Sequence, residues 1–287
     1  MKSLRDFLEL IKFEHTIFAL PFAYLGMFIA ADGLPTWHQF IWITIAMAAA
    51  RTVAMAFNRI ADRHFDALNP RTYNRPLVSG KITLRTAWFG TILAAIILIL
   101  AAAQLGRLPL ILLPGALIVL FGYSYTKRFT WMTHFLLGFT DGLAPMGAWV
   151  AVRGSLFQST DLPAWLLLVI VTFWIGGFDL IYACQDVEFD RRDGLQSIPA
   201  RFGVDLALKL SILAHLISVG LLAWLGLFLS FGAPYWIGLI IAVGLFIWEH
   251  RLVKPGDLTH INLAFFNINS YISITLFIAV LGALFIG

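Results

Sequence analysis

Nine stretches of mostly apolar residues, each close to the length of a membrane-crossing helix, alternate with short polar connections along almost the whole chain. They run over roughly 16–31, 40–57, 87–104, 108–125, 131–152, 164–183, 207–228, 233–249 and 263–286. About 20 such residues cross a bilayer as a helix. Within lipid each backbone N–H and C=O must find its partner inside the element, so segments of this length have to be helical. With 60% of 287 residues hydrophobic and only 13% charged, an ordinary water-soluble domain is ruled out. The expected architecture is an all-α integral membrane protein: a single domain over 1–287, a bundle of nine transmembrane helices, and a central cavity opening toward the cytoplasmic side.

The basic residues orient that bundle, because cytoplasmic loops accumulate Lys and Arg. With the N-terminus inside, 17 of the 20 Lys and Arg residues fall on the inner face; Arg107 and Arg153 fall outside and Arg51 lies within a span. The expected location is the inner (cytoplasmic) membrane, multi-pass, with the active site on the cytoplasmic side. The net charge of +4 then reports topology and attraction to anionic membrane lipid or a phosphorylated substrate, with no case for nucleic acid and no obligatory protein partner. Residues 1–15 carry charges throughout, so no cleaved presequence is expected. Leu4, Phe7, Leu8 and Ile11 recur at helical spacing, which predicts a short interfacial amphipathic helix. Cys184 is the single cysteine, which excludes an internal disulfide, and the seven histidines show no zinc spacing.

In a chain so poor in charge, two acidic pairs of identical spacing stand out: Asp62 and Asp66, and Asp186 and Asp190. Carboxylates four apart share a helix face and can hold a hard cation; two facing pairs with arginines nearby could clamp a polyphosphate through bridging metals. Asn58, one turn before Asp62, adds an amide oxygen, so Asn58, Asp62 and Asp66 form a three-rung ladder. Solvated helix-end charge is the alternative for either pair alone, but two copies at one membrane face, both beside Arg clusters, favour a diphosphate site. Each pair opens an enlarged cytoplasmic loop, 58–85 and 186–205. In the first, Asn69-Pro70 stops the helix; in the second, Asp193-Gly194 makes a turn. This rough repetition suggests two related halves facing each other across a cavity. A secondary transporter is the competing class, but it predicts charges near the bilayer midplane and interrupted helices.

These residues resemble the UbiA superfamily of intramembrane aromatic prenyltransferases. That family's pattern is N-D-x-x-D-x-x-x-D, then Y-x-x-x-K, then D-x-x-x-D. Here the counterparts are Asn58-Arg59-x-x-Asp62-x-x-x-Asp66, Tyr123-x-x-x-Lys127 and Asp186-x-x-x-Asp190, with Arg59 in place of an acidic residue. The resemblance spans nearly the whole chain. It implies Mg²⁺-dependent transfer of a polyprenyl group from polyprenyl diphosphate to an aromatic ring. Asn58, Asp62, Asp66, Asp186 and Asp190 are the expected metal ligands. Arg63, Arg71, Arg75, Tyr123, Lys127 and Arg191 are the candidate diphosphate shell. The chemistry suits an apolar bundle, since loss of diphosphate leaves an allylic cation that water would quench.

Charges inside spans face the bundle interior or a polar cavity. Arg51 lies two turns deeper than Asn58 on α-helical spacing, roughly 10 Å, where it could meet an acceptor carboxylate. Asp179 stands in the same relation to Asp186 and could orient or deprotonate a phenol. Equally, Arg51 could bridge to Asp179 or Asp141. Asp141 lies between Gly138 and Gly142, whose spacing suits close helix packing. The stretch from Asp186 to Gly203 resembles 4-hydroxybenzoate polyprenyltransferase-like members, a group that includes menaquinone-pathway enzymes acting on 1,4-dihydroxy-6-naphthoate. Both acceptors are aromatic hydroxy acids, and the benzoate, prenylated ortho to its hydroxyl, is the first expectation.

Overall fold

The computed structural model describes the backbone of residues 2–12 and 14–286 and the side chains of 5–12 and 20–286. The Leu4 side chain and those of residues 16–19, at the start of the first expected span, lie outside the described residues. The ordered elements are α1 (Lys2–Leu10), α2 (Glu14–Ala31), α3 (Trp37–Ala61), α4 (Arg63–Leu68), α5 (Leu84–Leu105), α6 (Arg107–Gly122), α7 (Thr133–Arg153), α8 (Leu162–Ala183), α9 (Val187–Arg192), α10 (Ile198–Phe202), α11 (Val204–Phe228), α12 (Ala233–Leu252) and α13 (Asn269–Phe285). Short 3-10 turns cover Tyr123–Arg128, Ser159–Asp161 and Cys184–Asp186, and Leu263–Ile268 is π-helical. β pairing among the described residues is confined to one bridge, Lys254 to Asp257. There the Thr259 hydroxyl and N–H donate to the Asp257 carboxylate and hold its pKa below the usual range.

Among the described residues, eight helical segments are long and apolar enough to cross a membrane. A ninth apolar helix is shorter over its described part, Leu20–Ala31. Large apolar side chains such as Phe89, Ile118, Leu216 and Ile240 point outward, between 62% and 73% exposed. In water such a surface would aggregate, whereas in lipid it is the solvated face. The chain is a multi-pass membrane protein, and its internal contacts gather it into two compact units: Met1–Leu20 with Thr36–Tyr125, and Pro21–Pro35 with Thr126–Gly287. Each acidic motif lies within one unit.

In the first unit, α3 starts at a capping box in which Thr36 Oγ1 accepts from Gln39 N–H and Gln39 Oε1 accepts from Thr36 N–H, satisfying two otherwise orphan donors. It packs on α5 and α6 through small residues, with Ala49, Leu98, Ala102 and Leu113 buried together. The amphipathic N-terminal helix is present as α1. Its buried Leu10 joins Leu77, Ile82 and Ala87 in one cluster with Phe7 against it, so α1 buttresses the loop that follows the first acidic motif.

In the second unit, close helix contact is set by glycine. A Cβ on Gly138 of α7 would strike the Thr172 carbonyl of α8, and one on Gly142 would come within 2.7 Å of the Leu168 carbonyl. The two glycines one turn apart thus let the backbones approach, as their spacing suggested. Side-chain hydrogen bonds join the other spans: Ser211 and Ser218 of α11 donate to the Gly177 and Ile170 carbonyls of α8, and Tyr235 of α12 donates to the Leu222 carbonyl of α11. At the start of the last span Asn269 joins neighbouring helices. Its Nδ2 donates to Glu249 and to the Ala264 and Phe265 carbonyls released by the π-turn, and its Oδ1 accepts from Trp174 Nε1 at 2.7 Å.

Gly138→Ala should therefore cost about 1–3 kcal/mol by overpacking, read as a lower melting temperature in detergent. Gly147→Ala on the same helix, where a Cβ meets nothing within 4 Å, should be neutral or slightly stabilising.

Candidate active site

The first acidic motif is built on a helix that breaks at its middle rung. α3 ends at Ala61, and Asp62, at φ −92° and ψ 5°, serves both as its C-cap and as the N-cap of the six-residue α4. Hydrogen bonding carries on through the hinge, with Asp62 N–H donating to the Asn58 carbonyl and Asp66 N–H to the Asp62 carbonyl. Asn58 and Asp62 are paired as a shared helix face requires, Asn58 Nδ2 donating to Asp62 Oδ2 at 2.9 Å. Asp66 is buried and turned elsewhere: Arg75 Nη1 donates to both of its oxygens, at 2.6 and 2.7 Å. Arg59 Nη1 donates to Asn58 Oδ1 at 3.3 Å, and the guanidinium lies within electrostatic reach of Asp62, Asp66 and Tyr123.

The loop after α4 holds Arg75 in place. Asn69 stops α4, as its place before Pro70 predicts, and its Oδ1 accepts from Arg71 N–H. Thr72 Oγ1 donates to the Asp66 carbonyl, and Arg75 N–H donates to the Thr72 carbonyl. The first unit thus links Arg59, Asn58 and Asp62 by side-chain hydrogen bonds and pairs Asp66 with Arg75. Arg63 and Arg71 are exposed. Arg51 stays half-buried on α3, and its Nε is buried with no hydrogen-bond partner among the described residues.

The second motif repeats the hinge. α8 runs into a 3-10 turn ending at Asp186, which at φ −102° and ψ 7° is the N-cap of the six-residue α9. Asp190 is the fourth residue of α9, as Asp66 is of α4, and is 1% exposed. Lys127 Nζ lies 3.2 and 3.4 Å from its oxygens, and Asp186 and Asp179 are within electrostatic reach of the same ammonium. Arg191 Nε donates to the Ala200 carbonyl at 2.7 Å, so this edge of the guanidinium braces the loop. The segment 186–205, expected as a loop, contains α9 and α10 and is docked at two further points. Gln196 N–H donates to the Lys127 carbonyl, and Ile198 N–H donates to His134 Nε2 at 3.3 Å.

That last bond defines a residue the sequence did not single out. His134, fully buried at the start of α7, lies with Nδ1 2.7 Å from Asp179 Oδ2. With Nε2 accepting from Ile198, the neutral tautomer carries its proton on Nδ1 and donates it to the carboxylate. Asp179 is therefore partnered within its own unit. The two are 45 positions apart, and no local pattern joins them. Glu249, fully buried on α12, was missed for a similar reason: beside His250 and Arg251 it reads as a solvated helix end. Its Oε1 accepts from Asn269, and its Oε2 lies 3.6 Å from His215 Nδ1.

Each unit offers hard oxygen donors of the kind Mg²⁺ takes. Among the described residues no three His, Cys, Asp or Glu side chains converge into a closed metal cage. Mg²⁺ keeps waters and phosphate oxygens among its ligands and needs one or two carboxylates. Asn58 and Asp62 in the first unit, and Asp186 and Asp190 in the second, fit that sparse requirement, with a cation already beside each set.

Residues 19–271 match the UbiA prenyltransferase family. The 4-hydroxybenzoate octaprenyltransferase of Chromohalobacter salexigens is 32% identical over 270 residues, covering 91% of this chain and 87% of that protein. The apo structure of a UbiA homolog from Aeropyrum pernix superposes with a TM-score of 0.85 at 34% identity, covering 93% of this chain and 97% of the other. A UbiA homolog from Archaeoglobus fulgidus bound to GPP and Mg²⁺ shares the fold at a TM-score of 0.66 and 23% identity, covering 96% and 99%. The membrane-length helices and these relatives define a multi-pass membrane enzyme. The chain belongs to the UbiA prenyltransferase family.

His134→Ala would strand both the Asp179 carboxylate and the Ile198 N–H, at a cost of about 1–3 kcal/mol per unpaired buried group. Proteolysis within 193–197 should speed up in this variant. His134→Gln, whose amide can donate to Asp179 and accept from Ile198, should restore resistance.

Proposed function

We propose that this protein transfers a polyprenyl group from polyprenyl diphosphate to the ring carbon ortho to the hydroxyl of 4-hydroxybenzoate, with Mg²⁺, at the cytoplasmic side of the inner membrane. The observation that carries this reading is the duplicated hinge. Each unit ends a long apolar helix at an Asp, follows it four residues later with a buried Asp, and sets a basic side chain against that second carboxylate. The names of the 4-hydroxybenzoate octaprenyltransferase relatives and the GPP- and Mg²⁺-bound homolog point to the same chemistry.

Asn58, Asp62, Asp66, Asp186 and Asp190 are the proposed metal ligands; Arg63, Arg71, Arg75, Tyr123, Lys127 and Arg191 are the proposed diphosphate shell. Bound Mg²⁺ would act as a Lewis acid that stabilises charge on the departing diphosphate. Arg75 and Lys127 would donate to diphosphate oxygens, and the apolar bundle would exclude water from the allylic cation. Arg51 would hold the acceptor carboxylate, a role supported by its buried Nε. The phenol oxygen donates electron density to the ortho carbon, which attacks the cation and then loses its proton. Asp179 would orient the phenol or take up a proton, with His134 fixing the direction of its carboxylate.

Asp62→Asn and Asp190→Asn should each lower turnover by about 10²-fold or more, the scale for removing a charge-stabilising group, with expression and melting temperature preserved. Near-normal turnover of both at saturating Mg²⁺ would refute the two-motif site.

Arg51→Ala should raise the KM for 4-hydroxybenzoate far more than that for the prenyl diphosphate, since a charge-assisted hydrogen bond contributes about 1.5–3 kcal/mol. Membranes offered labelled polyprenyl diphosphate with 4-hydroxybenzoate, 1,4-dihydroxy-6-naphthoate or a decarboxylated phenol decide the acceptor. Preference for the naphthoate would move the enzyme to menaquinone synthesis, and equal use of the decarboxylated phenol would refute the role of Arg51.

A further inference from the structure

In both units the cation nearest the acidic motif is engaged with a carboxylate. Arg75 Nη1 contacts both oxygens of Asp66, and Lys127 Nζ lies within 3.4 Å of both oxygens of Asp190. These are the more buried partners of their pairs, with side chains 10% and 1% exposed against 24% for Arg75 and 34% for Lys127. Arg59 adds a third contact of this kind, donating to Asn58 Oδ1, the amide oxygen assigned above as a donor. A buried carboxylate without a counter-charge is strongly destabilising, so these cations let the motifs fold without metal. They also occupy the oxygens a metal would use.

We propose that Arg75 and Lys127 are resident counter-cations that make divalent metal and prenyl diphosphate bind as one unit, each poorly without the other. The inference rests on the metal and diphosphate reading given above. Metal arriving alone must part Asp66 from Arg75 and would leave the guanidinium unpaired beside a divalent cation, a like-charge contact in a partly buried setting. Diphosphate arriving alone finds Arg75 in the first unit, or Lys127 in the second, already engaged with a carboxylate. When both arrive in the first unit, Asp66 exchanges an organic cation for the metal and Arg75 exchanges a carboxylate for a phosphate oxygen; Asp190 and Lys127 make the same exchange in the second. No charged group is left unmatched. Arg59 works in the same direction by holding Asn58 Oδ1 until a stronger cation takes it. A site built this way stays closed to free Mg²⁺ and assembles only around the complete substrate.

The test reads binding apart from turnover. Full-length protein in lipid nanodiscs is titrated with Mn²⁺, followed by the electron paramagnetic resonance of the free ion, with and without unreactive geranyl thiolodiphosphate. Wild-type affinity for Mn²⁺ should rise by about 10-fold or more with the analogue, within the roughly 5–150-fold range of typical coupling between sites. In Arg75→Gln, and independently in Lys127→Met, Mn²⁺ alone should bind more tightly than in the wild type, and the effect of the analogue should shrink. Arg75→Lys, which keeps the charge, should retain the coupling. Equal Mn²⁺ affinity of the wild type with and without the analogue would overturn the proposal. So would weaker binding of Mn²⁺ alone in both neutral variants, each first shown by circular dichroism to keep the wild-type helical content at the assay temperature. Absence of Mn²⁺ binding to the wild type under both conditions would instead overturn the metal and diphosphate reading itself.

Discussion

Carboxylates buried at the ends of apolar helices are tolerable only when each has a counter-charge or a donor, and most of the local structure around the two motifs serves that need. Asp66 requires Arg75, and Arg75 is held where it is by the turns from Asn69 through Thr72. Asp190 requires Lys127, whose carbonyl also receives the Gln196 N–H. Asp179 requires His134, which in turn receives the Ile198 N–H. Desolvating a charge costs several kcal/mol even after relaxation. The connecting segments are therefore not free to wander: they carry the partners that make the acidic positions affordable.

The two units reach the same local geometry by different residues. Asp62 and Asp186 adopt nearly the same backbone angles, each ends a long helical segment, and each starts a helix of six residues. Beyond each break the second Asp of the pair meets a basic side chain from outside its own helix. An unbroken helix would have kept both carboxylates on one stripe. The hinge thus converts a simple four-residue spacing into a carboxylate set with its own cation.

The same accounting governs the spans. Where the last span begins with a π-turn, the Ala264 and Phe265 carbonyls are met by Asn269 Nδ2, and the Asn269 oxygen is met by Trp174. Where α7 and α8 touch, Gly138 and Gly142 replace side-chain contact with backbone proximity. With no water to take up stray polar groups in the hydrocarbon, irregular backbone persists where a neighbouring helix supplies the missing partner.

By itself the sequence determined the helical membrane class, the paired spacing of the acidic motifs, the stop at Asn69 and the small-residue seam at Gly138; the hinge at Asp62 and Asp186, where one continuous ladder was expected, came from the structure. The features read from the sequence are local: hydropathy over a span, four-residue periodicity, and the conformational limits of Gly and Pro act over one or a few turns. Tertiary structure decided which charges pair. Arg75 meets Asp66, His134 meets Asp179, and Glu249 is buried. Three arginines within thirteen residues are equivalent to any reading of spacing. The path of the loop after Asn69 brings Arg75 within hydrogen-bond distance of Asp66, and a bond 2.7 Å long cannot be inferred from positions 45 residues apart. Local rules placed the chemistry, and long-range packing chose its partners.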